Sequence, residues 1–167
     1  MRGIRGVVLL VVPWLLACMG VMGSVVASSP PVIDMGSDAN PEEAAMALVR
    51  RCIELEESYD PAFVHCYAAE ADLHVKMLDP YGGERLQSLK GKDLRTDVDG
   101  FVKHLEKIGA RHTYKNMRTQ PLGGWKVAVR MTSHDELRDQ VHDVEILVDY
   151  LPGDSWRYVR VSSVQRL

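Results

Sequence analysis

The chain has 167 residues, of which 46% are hydrophobic, 26% charged and 7% aromatic. That is the make-up of an ordinary folded domain, and it excludes disordered, collagen-like and multi-span membrane classes. A formal net charge of −3 leaves no basic footprint for nucleic acid.

The first segment reads as a targeting signal. Met1 to Arg5 carries two arginines and no acid, and Gly6 to Ala27 follows without a charged residue. A basic start ahead of an apolar stretch is the pattern of a secretory signal, so residues 1–27 are expected to direct export to the periplasm or the medium. Two processing sites compete. Val25-Val26-Ala27 before Ser28 suits signal peptidase I, whereas Leu15-Leu16-Ala17-Cys18 resembles a lipobox that would make Cys18 a lipidated N-terminus. An uncleaved anchor is the third alternative, weakened by Pro13 and the glycines. Any membrane contact is therefore expected only through this N-terminal segment.

Ser28 to Ala39 is turn-rich and reads as a linker, leaving residues 40–167 as one domain. Asn40 caps a first helix, Pro41 suits its first turn and Glu43 completes a capping box. Ala45, Leu48, Val49, Cys52 and Ile53 share one face of it. Glu54, Glu56, Glu57 and Asp60 read as its solvated end. Asp60-Pro61 starts a shorter helix carrying Phe63, Val64 and Tyr67. No glycine marks the corner between the two, which is inferred from the second cap alone. Cys52 and Cys66 could pair in an oxidising compartment, or could be buried thiols. The second reading is preferred, because spacing does not set the Cα separation that a disulfide needs.

Period two takes over from about Ala71, where Leu73, Val75 and Met77 alternate with Asp72, His74 and Lys76. Asp79 to Gly83 is a turn, and Glu84 to Leu89 should pair back as a hairpin. Thr96-Asp97-Val98-Asp99 starts a third helix with Val98, Phe101, Val102, Leu105 and Ile108 in its stripe, and Gly109 ends it. Four strands follow: Arg111–Thr119, Trp125–Ser133, Asp139–Tyr150 and Ser155–Gln165. Compact turns at residues 121–124 and 151–154 join the first of them to the second and the third to the fourth.

Three helices with six strands make an α+β architecture, in the order ααββαββββ. That order resembles the nuclear transport factor 2-like superfamily, including its SnoaL-like branch. The local resemblance lies in Tyr67-Ala68-Ala69-Glu70-Ala71-Asp72, in Leu89-Lys90-Gly91 and in Gly153-Asp154-Ser155-Trp156-Arg157-Tyr158, and it spans about residues 41–166. The resemblance implies a strongly curved antiparallel sheet forming a cone, a pocket between helices and sheet, and homodimers through the sheet's outer face.

The sequence holds no Gly-rich phosphate loop, G-x-S-x-G, H-E-x-x-H or paired C-x-x-C. Single residues remain. His142 shares strand parity with Val144, Ile146, Val148 and Tyr150, so it should face inward, where an imidazole can act as acid or base. Tyr67, Tyr114, Tyr150 and Trp156 are the candidate ligand contacts. Trp156, and Trp125 on its hairpin, also read as structural anchors. Asp72 stands where SnoaL-like proteins often carry an acid, although its parity points it outward. His74, His112 and His142 lack the spacing of a zinc site, and neither metal nor cofactor is expected. These readings favour an exported protein that binds a small hydrophobic molecule in its cone or supports an envelope assembly. The alternative is an isomerase, dehydratase or cyclase acting on a hydrophobic carbonyl compound, with His142 as its acid–base group.

Overall fold

Asn40 opens helix α1, Pro41–Glu57, by accepting a hydrogen bond on Oδ1 from the Glu42 N–H at 3.0 Å. The computed structural model describes residues 40–78, 81, 83–96, 98–151 and 155–166. The expected signal, linker and Cys18, with Asp97 and parts of the turns at 79–83 and 151–154, lie outside the described residues. The α1 face carrying Ala45, Leu48, Val49 and Cys52 is buried, as its spacing requires.

The corner after α1 forms without glycine. Tyr59 takes the left-handed conformation at φ 55°, while its N–H donates to the Glu56 carbonyl and the Asp60 N–H to the Leu55 carbonyl. This is the closing pair of bonds that glycine usually permits. Here the Tyr59 hydroxyl holds the strained residue by donating to the Ala110 carbonyl at 2.8 Å. Asp60 then caps a 3₁₀ helix, Pro61–Cys66, through the Ala62 N–H at 2.8 Å. The expected second α-helix is thus a 3₁₀ helix. Its six residues must both bury Phe63, Val64 and Cys66 and deliver the chain to a strand at Tyr67.

The same corner folds Cys66 back onto α1, with its Cα 6.1 Å from that of Cys52, and the two are joined by a disulfide. The preferred reading of two free thiols is corrected. Tertiary closure of the corner supplies the separation that sequence spacing left open.

Six strands form one curved sheet: β1 Tyr67–Leu78, β2 Glu84–Lys90, β3 His112–Gly123, β4 Lys126–Asp135, β5 Gln140–Leu151 and β6 Ser155–Arg166. Helix α2, Val98–Ile108, lies between β2 and β3 in sequence. The strand order is β2-β1-β6-β5-β4-β3, and all neighbours are antiparallel except β1 and β6, which run parallel. The wholly antiparallel sheet expected from the sequence is corrected at that one joint. The α+β class and the curved sheet stand. β1 also starts at Tyr67 rather than near Ala71, with a register shift between Tyr67 and Asp72. At that irregularity Gly91 passes so close that a Cβ on it would lie 2.0 Å from the Ala68 carbonyl oxygen. Glycine is required there, which accounts for the Leu89-Lys90-Gly91 segment.

Candidate functional site

The apolar face of α1 runs one step further than the stripe Ala45, Leu48, Val49, Cys52. Four residues on from Cys52 stands Glu56, whose side chain is only 18% exposed. Its Oε2 accepts a hydrogen bond from the Tyr114 hydroxyl at 3.0 Å. Its Oε1 lies 3.4 Å from Nδ1 of His112, within ion-pair distance, and makes no hydrogen bond among the described residues. Burial works against the charged imidazole of His112, but Glu56 and then Asp135 outweigh it and hold its pKa above the ordinary 6.5.

Glu56 and Tyr114 line a cavity of about 40 Å³ between α1 and the sheet, which Tyr67, Tyr158, Ile53 and Val144 also border. Burial, with Glu56 adding to it, pushes the phenols of Tyr67, Tyr114 and Tyr158 well above their ordinary range, so all three are neutral hydrogen-bonding groups. A smaller cavity of about 20 Å³ lies beside Glu56, Tyr59 and His112. Both are water-sized. A pocket for a drug-sized molecule is about 300–1,000 Å³, so such a molecule enters only if lining side chains move.

Strand register places the rest. Val129, Ile146 and Val161 form one inward-facing row across β4, β5 and β6, and Met131, Val144 and Ser163 form the next. The following row is Tyr114, Ser133, His142, Gln165 and Met77 across β3, β4, β5, β6 and β1. His142 therefore faces inward at 1% exposure, as parity required, one row beyond the cavity wall. Neither of its ring nitrogens has a hydrogen-bond partner among the described residues, and the same holds for Ser133 Oγ, Ser163 Oγ and Gln165 Oε1. Each such group costs about 1–3 kcal/mol when left buried and unpaired. Burial above all, and then the charge of His112, depresses the pKa of His142.

The other candidates are scattered. Asp72 is on the outer face with its side chain 47% exposed, bound to Nζ of Lys90 at 2.6 Å, and this bond lowers its pKa. It does not meet His142, so the two do not form one acid–base pair. His74 is outward too, with Nδ1 2.8 Å from Ser88 Oγ. Tyr67 and Tyr114 reach the cavity, whereas Tyr150 and Trp156 lie at the opposite end of the sheet in an aromatic cluster with Trp125. Among the described residues no group of three or more metal-ligating side chains gathers in one place. Sequence reading placed Glu56 in solvent and passed over Tyr158, Ser133, Ser163 and Gln165. Continuing the α1 stripe by one helical step would have found Glu56, and carrying the inward parity of β4 past Met131 would have found Ser133.

No family model matches the chain, and no curated protein matches it in sequence. Its fold has solved counterparts. A candidate ketosteroid isomerase from Parabacteroides distasonis superposes with a TM-score of 0.51 at 14% identity, over 80% of this chain and 94% of that one. A protein of unknown function from Pectobacterium atrosepticum gives 0.55 at 12% identity, over 77% and 92%. The beta subunit of a candidate aromatic-ring-hydroxylating dioxygenase from Novosphingobium aromaticivorans gives 0.52 at 9%, over 75% and 89%. At these identities the likeness shows the fold, which is the nuclear transport factor 2-like one that the element order implied.

Proposed function

We propose that this chain is an exported protein of the SnoaL-like kind that takes a small hydrophobic molecule between α1 and the sheet. The observation that carries the reading is Glu56. A buried carboxylate with one oxygen held by Tyr114 and the other without a hydrogen bond, 3.4 Å from the His112 imidazole, borders a mainly apolar cavity. Buried polar groups are normally satisfied, and an exception in a cavity wall is what a ligand contact looks like before the ligand arrives. Export is supported by the Cys52–Cys66 disulfide, a bond that persists in oxidising compartments, and by the basic-then-apolar N-terminus. Ile53→Trp tests the reading, because the larger ring fills the cavity. Native mass spectrometry of protein taken gently from the envelope fraction should show a retained small molecule on the wild type and none on the variant. A bare wild-type mass, together with equal binding of added octane by the two proteins, overturns it.

The His112–Glu56 contact favours a second reading, proton transfer on a hydrophobic ketone. Glu56 would take a proton from the carbon beside the carbonyl while Tyr114 or His112 donates one to the oxygen, giving an enol that is reprotonated elsewhere. The carboxylate that carries this role is Glu56, since Asp72 is on the wrong face and His142 lies a row away. Deuterium exchange at the carbons flanking the carbonyl of 2-octanone, followed by NMR, should be catalysed by the wild type. It should fall by about 100-fold or more in Glu56→Gln. Equal exchange with both proteins removes this reading and leaves binding alone.

A further inference from the structure

The row beyond the cavity is buried, polar and unsatisfied, and it is continuous with the cavity wall. Ser163 stands in the same row as Met131 and Val144, which line the cavity, and Ser133, His142 and Gln165 form the next. At the β3 end that row finishes in Tyr114, whose hydroxyl is already in the site on Glu56. We infer that Ser133, His142, Ser163 and Gln165 form a head-group subsite, which receives the hydroxyl or carbonyl of an uncharged molecule whose apolar body enters the cavity as its lining side chains move apart. The inference rests on the reading of the cone as a ligand site and adds the chemical class of the ligand.

The inventory fits a neutral oxygen. Two serine hydroxyls and one imidazole N–H can donate, while the other ring nitrogen and Gln165 Oε1 can accept. A hydroxyl satisfies both kinds of partner and a ketone oxygen satisfies the donors. None of these groups carries a fixed charge that would neutralise an ionic head. The ionisable neighbours are engaged with one another. Asp135 accepts from the Leu137 and Arg138 N–H groups and lies 3.4 Å from the Arg138 guanidinium. His112 faces Glu56. His134 lies 2.9 Å from Asp139. A carboxylate or ammonium brought into this row would therefore be buried without a counter-charge, which hydrogen bonds alone do not offset. Gln165 is fixed from behind, its Nε2 donating to Gln140 Oε1, so its carbonyl oxygen is the part left for a ligand.

An eight-carbon series separates the terms: octane, 1-octanol, 2-octanone, octanoate and octylammonium, each titrated against intrinsic fluorescence at one pH and salt. With the wild type, the alcohol and the ketone should bind about tenfold or more tighter than either ion. Ser133→Ala with Ser163→Ala should weaken 1-octanol about tenfold and leave octane unchanged. The double variant should also melt at the same or a higher temperature, because it loses only hydroxyls that lack protein partners. Gln165→Leu is the second variant and should act in the same direction on the alcohol. If octane and the ions bind like the alcohol, or if the serine variants bind 1-octanol as the wild type does, the row holds water only and the inference is overturned while the ligand site stands. If no probe binds, octane included, the reading of the cone fails and the subsite fails with it.

Discussion

The two ends of the inner face of β5 and β6 each centre on a buried side chain and are chemically opposite. At one end Trp156 is 2% exposed, with Tyr150 at a ring-centroid distance of 5.4 Å and Trp125 at 6.2 Å. At the other end His142 and Gln165 are each 1% exposed, yet polar atoms of both lack partners among the described residues. Burial alone does not distinguish a packing anchor from a site. What does is whether the buried atoms have somewhere to spend their hydrogen bonds. The aromatic end packs ring against ring and reads as the part that anchors the β3–β4 hairpin, through Trp125, onto β5 and β6. The polar end is not satisfied, and it adjoins the cavity and the half-satisfied Glu56.

The largest effect should come from the aromatic end. Trp156→Ala removes a fully buried indole, and its expected cost is about 3–5 kcal/mol in urea unfolding. A loss below about 1 kcal/mol would mean that the cluster collapses around the hole. The stabilising role would then have to be sought elsewhere. Next comes the tether between α1 and the start of β1. Cys52 and Cys66 are 14 residues apart, and opening a loop of that size costs about 3 kcal/mol in the chain-entropy account. Replacing both by serine, or adding reductant to the wild type, should lower the unfolding free energy by about that amount. Agreement between the two treatments assigns the loss to the bond itself. Because Cys52 lies one helical turn before Glu56, the same variants should also weaken octane binding if the bond fixes the cavity wall.

Much of this contrast is legible in the residue pattern, and the part that is not has physical causes. Period two along β5 puts His142 and Tyr150 on one face, and the alternation in β1 turns Asp72 outward, as found. The same parity says nothing about partners, since those come from neighbouring strands. That Ser133 and Gln165 flank His142 follows from register, and no local signal carries register across a turn. The parallel joint of β1 and β6 is likewise set by topology between segments far apart in the chain. Glu56 was hidden by charge: three acids within Glu54–Glu57 look like a solvated end, and only the helical step from Cys52 reveals that one of them is inside. The corner at Tyr59 hid for the opposite reason, because a hydroxyl contact to Ala110, distant in sequence, does the work usually left to glycine.

The smallest effect concerns sign as much as size. If the polar end is a site and not a packing anchor, His142→Leu should cost nothing at pH 7 and raise stability by up to about 1 kcal/mol, since it removes two nitrogens that lack protein partners. The pH dependence sharpens this. Burial first, then His112, Arg138 and His134, depress the pKa of His142 against the pull of Asp135. A group depressed in the folded state binds fewer protons there than in the unfolded chain. Its contribution is therefore complete above the ordinary 6.5 and is lost as pH falls through that value toward the folded one. His112 runs the other way. Its raised pKa gives stability below 6.5 that disappears as pH rises through the folded value. In the wild type the two slopes oppose each other. Removing His142 should leave the His112 slope alone, so His142→Leu should gain stability relative to the wild type on going from pH 7 to pH 5. Urea unfolding at the two pH values reads both terms. A loss above about 2 kcal/mol at pH 7 would place His142 in the same class as Trp156, as a residue that the core needs.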